Sequence, residues 1–205
     1  MIAGLRVAAL LAGLAVMPAL AQESPPSAAG DTAIATFASG CFWCTESDFE
    51  KVPGVVEAVS GYIGGIDPDP TYPEVSAGGT GHAEAVQLRY DPEITSYEQL
   101  LDVYWHNVDF LDAGGQFCDR GDQYRSVIFV HDDAQKRAAL QSKGKLEEEG
   151  RFDRPVITQI NEAGTFHPAE EYHQDYYKKN PIRYKFYRYT CGRDQRLAEL
   201  WHGAS

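Results

Sequence analysis

A short apolar stretch that ends at Ser39-Gly40, with Cys41 directly after it, constrains the fold of this chain more than any other feature. Residues 34–38 are predicted to form a β-strand and residues 42–52 a helix. Cys41 therefore lies at a strand-to-helix junction. The free backbone N–H groups and the dipole of a helix N-terminus favour a thiolate there. We expect Cys41 to be the more activated cysteine of the C-x-x-C pair, because Cys44 lies one turn inside the helix.

The remaining sequence predicts strands and helices in no regular βαβ order. Ser96 and Gln99 form a capping box ahead of a helix, followed by an apolar stripe at helical spacing: Tyr97, Leu100, Leu101, Tyr104 and Trp105. Further strands are expected over 55–62, 85–90, 126–130 and 156–160, helices over 133–149 and 170–179, and a functional loop over 64–81. With no repeat and no second boundary, the 205 residues predict one two-layer α+β domain.

Residues 1–21 have the features of a secretory signal peptide. Arg6 precedes an apolar run over 7–16, and Ala19-Leu20-Ala21 ends the segment with an A-x-A pattern. Because the run is too short to span a bilayer comfortably, we expect cleavage after Ala21 and export to the periplasm; the alternative is an uncleaved anchor. Residues 22–31 are small, polar and proline-rich, which predicts a flexible linker before a folded domain over 32–205.

The charge of the chain excludes some classes of partner. The formal net charge is −12 at pH 7. A domain this acidic is a poor candidate for binding nucleic acid or an anionic membrane, since both are negatively charged. We therefore expect a soluble protein that binds neither, with no membrane association once the signal peptide is removed.

Four cysteines, at positions 41, 44, 118 and 191, could form two disulfides in an exported chain. A domain of this size can bury a core without them, so at least one pair invites a chemical explanation. Three interpretations of Cys41 and Cys44 stay open: a structural disulfide or zinc half-site, a thioredoxin-like exchange motif, or a thiol that reduces a peroxide or a sulfoxide. Phe42 and Trp43 favour the third, because two bulky rings between the sulfurs can hold an apolar group beside one of them.

Several segments together resemble the peptide methionine sulfoxide reductases of the A class. They are "GCFWCTESDFEKVPGV", "GYIGG", "PTYPEV", "GTGHAEAV", "YDP", "DQYRSVIF" and "PAEEYHQDY", which occur in the family's order over most of residues 35–178. The resemblance implies an α+β mixed-sheet sandwich with flanking helices and a catalytic domain over 32–205. It also implies that the protein reduces S-epimer methionine sulfoxide, either free or in proteins. The implied reductant is a thiol of the thioredoxin type, and no metal or other cofactor is expected.

The resemblance also assigns roles to individual residues. Cys41 matches the attacking thiol, which becomes a sulfenic acid. Glu84 matches the acid, and a carboxyl in an apolar pocket keeps its proton more easily. Tyr72 and Tyr124 match two phenol donors to the sulfoxide oxygen, and Asp119 matches an acidic residue beside them. Phe42 and Trp43 are expected to form the apolar wall for the substrate methyl group.

The resolving thiol is left open. The family's usual resolving thiol lies in the C-terminal segment, where Cys191 stands, whereas Cys44 is nearest to Cys41 in sequence and Cys118 directly precedes Asp119. The alternative is a structural Cys118–Cys191 bridge, which would leave Cys44 as the resolving thiol. A Glu-x-x-His pair, Glu170 and His173, could bind a metal on one helix face, but the family uses no metal there.

Overall fold

The computed structural model describes Met1 and residues 31–150, 152 and 154–202. Apart from Met1, the predicted signal peptide over 1–21 lies outside the described residues. So does the predicted linker over 22–31, apart from Asp31. Among the helices of the described residues, none combines the length and apolar character needed to cross a bilayer.

The described residues form eight strands, seven helices and one 3-10 turn. The strands are β1 (Ala33–Ser39), β2 (Val55–Ile63), β3 (Ala83–Tyr90), β4 (Gly115–Gln116), β5 (Asp119–Arg120), β6 (Ser126–Val130), β7 (Gln159–Glu162) and β8 (His167–Pro168). The helices are α1 (Phe42–Phe49), α2 (Tyr72–Ala77), α3 (Tyr97–His106), α4 (Asp133–Glu148), α5 (Tyr176–Lys179), α6 (Pro181–Thr190) and α7 (Arg193–His202), and the 3-10 turn spans Asp122–Tyr124.

Six strands form one mixed sheet in the order β7-β6-β1-β3-β2-β8. The β6–β7 pair is parallel and the other pairs are antiparallel, while β4 and β5 form a separate hairpin. The helical stripe predicted from Tyr97 to Trp105 is buried, and Tyr104 stacks on Phe37 of β1 at 5.2 Å between ring centroids. The predicted α+β fold with a mixed sheet and flanking helices is confirmed.

Three predicted elements are wrong in part. The segment 64–81 is not only loop, because Thr71 and Glu74 form a capping box that begins α2. The strand predicted at 156–160 is β7, which starts later, at Gln159. The helix predicted at 42–52 ends at Phe49, since residue 53 is a proline and the residue before a proline disfavours helix.

The helix predicted over 170–179 is reduced to α5, and it is not the last one. Asp175 has a left-handed backbone with φ 54°, which interrupts the helix. Its N–H donates to Glu46 Oε1 at 2.6 Å, so a tertiary contact supports this conformation. Pro181 then takes an N-terminal position of α6, where a missing N–H costs nothing.

Gly40 makes the sharp turn between β1 and α1. Its φ is +85°, and a Cβ there would lie 2.5 Å from Gln116 Cβ. Gln116 is fully buried and bonds both the N–H and the C=O of Asp109, so it has no room to move. The turn that presents Cys41 therefore requires glycine.

Gly40→Ala is expected to lower the free energy of unfolding by roughly 1–3 kcal/mol, from the cost of a left-handed backbone together with the clash. Gly144→Ala is the matched control, since Gly144 lies in α4 with nothing within 4 Å of a Cβ. This control is expected to stabilise the protein by up to about 1 kcal/mol. Urea denaturation of both variants measures the difference, and equal stability of the two variants contradicts the prediction.

Candidate active site

Cys41 is the N-cap residue of α1, at the junction predicted for it. Its carbonyl accepts from Cys44 N at 3.1 Å and from Thr45 N at 3.3 Å, which begins the helix. The side chain is buried, with 7% of the residue exposed, and it is not part of a disulfide. Cys41 therefore stands as a free thiol at the helix N-terminus, covered from solvent.

The expectation that the helix terminus makes Cys41 the more acidic thiol is wrong for this state. Burial raises the pKa of Cys41, and Cys44, Glu84 and Asp119 raise it further. Cys44 is hydrogen-bonded to Cys41, and its pKa is lowered by that bond and by the guanidinium charge of Arg193. Loss of hydration therefore outweighs the helix terminus at Cys41 in this state.

Glu84, the predicted acid, lies on β3 opposite Tyr62 of β2. Its Oε2 accepts from Phe42 N at 3.0 Å, so the carboxyl is held at the first residue of α1. Burial raises the pKa of Glu84 to about 8, against the opposing effect of the Phe42 N–H. At pH 7 the carboxyl is therefore protonated and able to donate.

The two predicted phenols, Tyr72 at the start of α2 and Tyr124 in the 3-10 turn, face the same site. Both interact electrostatically with Cys41 and Glu84, although they come from separate elements of the fold. Burial raises the pKa of Tyr72 to about 12 and that of Tyr124 as well. Both hydroxyls therefore keep their protons at neutral pH and can donate hydrogen bonds.

Asp119 of β5 contacts a further residue of the site, Tyr187, which the sequence did not indicate. Tyr187 of α6 donates its hydroxyl to Asp119 Oδ2 at 2.5 Å and also hydrogen-bonds with Cys41. Burial raises the pKa of Asp119, partly offset by this hydrogen bond. Tyr187 was missed because α6 follows the last helix that the sequence predicted, and no pattern separates it from the neighbouring tyrosines.

The two aromatic residues between the cysteines lie in one cluster of rings. Phe42 is buried, with its ring centroid 5.9 Å from that of Tyr62. Trp43 is half-buried and stacks on Tyr176, at 3.7 Å between centroids and 6° between planes. Its edge meets Tyr187 at 5.8 Å. The rings of Phe42 and Trp43 thus pack against side chains of β2, α5 and α6.

Glu170 and His173, the Glu-x-x-His pair, adjoin this cluster and bond to the protein's own groups. Glu170 accepts from Tyr62 Oη at 2.8 Å and from Tyr72 N at 2.8 Å. His173 Nδ1 accepts from Trp43 Nε1 at 3.0 Å. The pair therefore contacts predicted site residues from both sides.

Cys118 and Cys191 form a disulfide, whereas Cys41 and Cys44 are free. The Asp119 carboxylate lies 3.8 Å from Cys118 Sγ and 3.9 Å from Cys191 Sγ. Since Asp119 also binds Tyr187, the disulfide borders the site around Cys41. Cys118 is exposed and Cys191 half-buried.

Comparison with known proteins gives a consistent result. Residues 33–204 match the family described as peptide methionine sulfoxide reductase. The relative MsrA from Bacillus licheniformis is 52% identical over 168 residues, which cover 82% of this chain and 93% of the relative. Methionine sulfoxide reductase A of Corynebacterium diphtheriae has a TM-score of 0.65 and 31% identity, covering 76% of this chain and 78% of that one.

Mxr1 from Saccharomyces cerevisiae has a similar fold, both in its reduced form and in its complex with Trx2. The reduced form has a TM-score of 0.68 and 32% identity, over 78% of this chain and 90% of that chain. The form in complex with Trx2 has a TM-score of 0.50 and 25% identity, covering 74% of this chain and 91% of that chain. With a family match over nearly all of the folded residues, and a buried free cysteine beside a protonated carboxyl, this chain belongs to the peptide methionine sulfoxide reductase family.

Proposed function

We propose that this protein reduces the S epimer of methionine sulfoxide, free or in proteins, with Cys41 as nucleophile and Glu84 as acid. One observation carries the proposal. The buried Cys41 thiol and the Glu84 carboxyl, with its pKa near 8, lie at the same helix N-terminus. A sulfoxide needs both groups, because its sulfur is attacked while its oxygen takes up protons.

The reaction balances with these groups. Cys41 sulfur attacks the sulfoxide sulfur while Glu84 donates a proton to the oxygen, and the proton that the Cys41 thiol loses replaces the one given up by Glu84. Transfer of that oxygen gives methionine and a sulfenic acid on Cys41. The hydroxyls of Tyr72 and Tyr124 donate to the same oxygen as negative charge develops on it. Both keep their protons for this role, since burial raises their pKa values.

The apolar cluster gives the site its selectivity. Phe42 and Trp43 offer a wall for the substrate methyl group, while the polar donors receive the oxygen. Fixing the methyl group, the oxygen and the peptide backbone at three points distinguishes the two configurations at sulfur. The family resemblance selects the S form.

Resolution of the sulfenic acid begins with Cys44. Its side chain hydrogen-bonds Cys41, and its lowered pKa favours the attacking thiolate. Attack of Cys44 on the sulfenic sulfur forms a Cys41–Cys44 disulfide and releases the oxygen as water. Cys191 is not free to make this attack in the present state, because it is bonded to Cys118.

Electrons then reach the site through Cys118 and Cys191. As a dithiol, this pair reduces the Cys41–Cys44 disulfide by exchange and becomes the Cys118–Cys191 disulfide found here. A thioredoxin-type dithiol partner reduces that disulfide from solution, since Cys118 is exposed whereas Cys41 and Cys44 are buried. The complex of yeast Mxr1 with Trx2 supports a partner of this class.

The relay predicts different trapped species in two variants. Cys44→Ser and Cys191→Ser should each complete one oxygen transfer but stall with thioredoxin. Cys44→Ser should accumulate the Cys41 sulfenic acid, detected with a dimedone reagent. Cys191→Ser should accumulate the Cys41–Cys44 disulfide, detected by peptide mapping. Full recycling by Cys191→Ser would leave Cys44 as the sole resolving thiol and the Cys118–Cys191 bond as structural; full recycling by Cys44→Ser would assign resolution to Cys191.

The proposed function is tested with separated epimers of a methionine sulfoxide peptide. Turnover with thioredoxin, thioredoxin reductase and NADPH should occur with the S epimer, while the R epimer stays unreacted. Equal rates for both epimers would overturn the pocket and the assignment. Insulin reduction without sulfoxide turnover would instead indicate a general disulfide reductase.

We also propose that the enzyme is periplasmic, after export and cleavage behind Ala21. The basis is the signal-like composition of residues 1–21. Mass spectrometry of the protein from the periplasmic fraction should find Gln22 at the N-terminus, and a retained Met1 would refute export by cleavage.

A further inference from the structure

Three groups that can bind a metal meet where the disulfide borders the site. The sulfur atoms of Cys118 and Cys191 and the carboxylate of Asp119 lie within 4.8 Å of one another. Asp119 Oδ1 is 3.8 Å from Cys118 Sγ, and Asp119 Oδ2 is 3.9 Å from Cys191 Sγ. One carboxylate thus faces both sulfurs, with a separate oxygen toward each. A disulfide offers no thiolate, so metal binding here belongs to the reduced form of the pair.

The spacing of these groups matches the ligands of a tetrahedral zinc ion. With Zn–S bonds of about 2.3 Å and Zn–O bonds of about 2.1 Å, a thiolate and a carboxylate oxygen on one ion lie roughly 3.6 Å apart. Both distances from Asp119 to sulfur are within about 0.3 Å of that value. Two thiolates on one ion lie roughly 3.8 Å apart, so the sulfurs must separate once their bond is broken. Because Cys118 is exposed, rotation of its side chain can supply this separation.

Hydrogen bonds already orient two of the three groups. The Cys118 N–H donates to Cys191 Sγ at 3.2 Å, and such a bond stabilises negative charge on the sulfur. The Tyr187 hydroxyl donates to Asp119 Oδ2 at 2.5 Å and holds the carboxylate beside the sulfurs. Side chains that bind metals are commonly oriented by partners of this kind.

The charges around the three groups suit a divalent cation. Two thiolates and one carboxylate carry three negative charges, so a bound divalent cation leaves one of them uncompensated. The positive charges of Arg193 and Arg120 act on the Asp119 carboxylate. The Arg193 guanidinium also lies 4.5 Å from the ring centroid of Phe117, directly before Cys118. The remaining negative charge is therefore balanced within the protein.

Access from solvent separates this pair of cysteines from the other one. Cys41 is 7% exposed and Cys44 is 2% exposed. Cys118 is exposed and Cys191 is half-buried. A cation from solution therefore meets the Cys118–Cys191 pair first.

We propose that Cys118, Cys191 and Asp119 bind a thiophilic divalent cation such as Zn²⁺ when the Cys118–Cys191 bond is reduced, and that the bound cation stops the electron relay. Binding forms two Zn–S bonds and one Zn–O bond, and the two thiols release their protons to solvent. Water takes the fourth position.

The bound cation acts as an inhibitor and not as a cofactor. A sulfur whose lone pair is bound to the metal does not attack the Cys41–Cys44 disulfide, so the two electrons of the Cys118–Cys191 pair are withheld from the site. The inhibition rests on the proposed function, which assigns the relay. The metal site itself does not.

Titration with Co²⁺ tests the site without reference to activity, because Co²⁺ absorbs visible light when thiolates bind it tetrahedrally. The protein is fully reduced, separated from the reductant and titrated under argon. The reduced form should bind about one Co²⁺ per chain, which Zn²⁺ displaces, and the Cys118–Cys191 disulfide form should bind none. Cys118→Ser should lose the absorption. Asp119→Asn should weaken binding at least about tenfold, since partners that only orient a ligand already contribute roughly 10–100-fold.

Asp112→Asn and Cys44→Ser are the matched controls. Asp112 pairs with Arg120 at 2.7 Å, so its substitution removes a neighbouring negative charge but no ligand. Cys44→Ser breaks the buried pair of thiols and keeps the Cys118–Cys191 pair. Both variants should bind Co²⁺ as the wild type does. The site is overturned if Cys118→Ser keeps the absorption, if Cys44→Ser loses it, or if Asp119→Asn binds as tightly as Asp112→Asn.

Counting methionine measures the effect of the cation on the relay. The fully reduced enzyme without added reductant should convert about two S-epimer sulfoxides per chain, one for each pair of thiols. With one equivalent of Zn²⁺ it should convert about one, because only the Cys41–Cys44 pair supplies electrons, and EDTA should restore the second. Two conversions per chain in the presence of Zn²⁺ would overturn the inhibition. Absence of any conversion by the metal-free enzyme would instead refute the proposed function, while the Co²⁺ titration still decides the site.

Discussion

Cys41→Ser is expected to abolish methionine formation in a single turnover without reductant. A serine hydroxyl is not ionised near neutral pH and does not accept an oxygen atom as a thiolate does, so no sulfenic acid forms. The other free cysteine, Cys44, lies one turn inside α1, and Cys118 and Cys191 are joined in a disulfide, so neither takes the place of Cys41 at the helix N-terminus. The loss should therefore be complete within detection, at least about 10³-fold, as for other removed nucleophiles.

The measurement mixes excess enzyme with an S-epimer peptide and follows methionine by chromatography. Cys118→Ser is the control, because it removes the disulfide but leaves Cys41 and Glu84 in place. It should convert the peptide to methionine at a rate close to wild type. Residual transfer by Cys41→Ser at a tenth of the wild-type rate would place the nucleophile elsewhere.

Glu84→Gln is expected to slow the same single turnover by roughly 10²–10⁴-fold, the usual contribution of a general acid. Glutamine keeps the size of the side chain and an oxygen that can accept from Phe42 N, but it has no acidic proton. Sulfoxide binding should change much less than the rate. A near-wild-type rate in Glu84→Gln would assign the proton to another donor.

The pH profile gives an independent check on Glu84. Its pKa is raised to about 8, so the acid form is present at pH 7 and is lost as the pH rises through 8. The ratio of the wild-type transfer rate to the Glu84→Gln rate should fall over that range, because ionisation of the thiol affects both enzymes alike. The raised pKa of Glu84 also makes the free energy of unfolding depend on pH. The native state keeps a proton on this carboxyl that the unfolded chain releases above about pH 4.5. Wild-type stability should therefore decline between about pH 4.5 and 8 relative to Glu84→Gln.

Local signals explain which parts of the fold were predictable. The junction at Gly40 and Cys41 and the stripe from Tyr97 to Trp105 depend on neighbouring residues and were placed correctly. The break before α5 was not, because the left-handed Asp175 is held by Glu46, which is distant in sequence. A helix pattern contains no information about such a contact.

The residues of the site likewise differ in whether local sequence signals predict them. Composition and spacing led to Cys41, whereas Glu84 and Tyr72 were reached through resemblance, since they lie on separate elements that only the fold brings together. Neither the spacing of residues nor the family resemblance indicated Tyr187. The direction of the Cys41 pKa was mistaken because a helix terminus is visible in sequence, while the burial that outweighs it is a property of the packed structure.

The pairing of the four cysteines also fixes how many electrons the chain can store. Each sulfoxide consumes two electrons, and a free pair of thiols supplies two. In the state described here, Cys41 and Cys44 are free and Cys118 is bonded to Cys191. The chain therefore holds two of the four electrons that its four thiols could supply. It can repair one methionine before it needs a reductant. A fully reduced chain holds four electrons and repairs two, so the relay gives the enzyme a reserve that continues repair through a brief shortage of its electron donor.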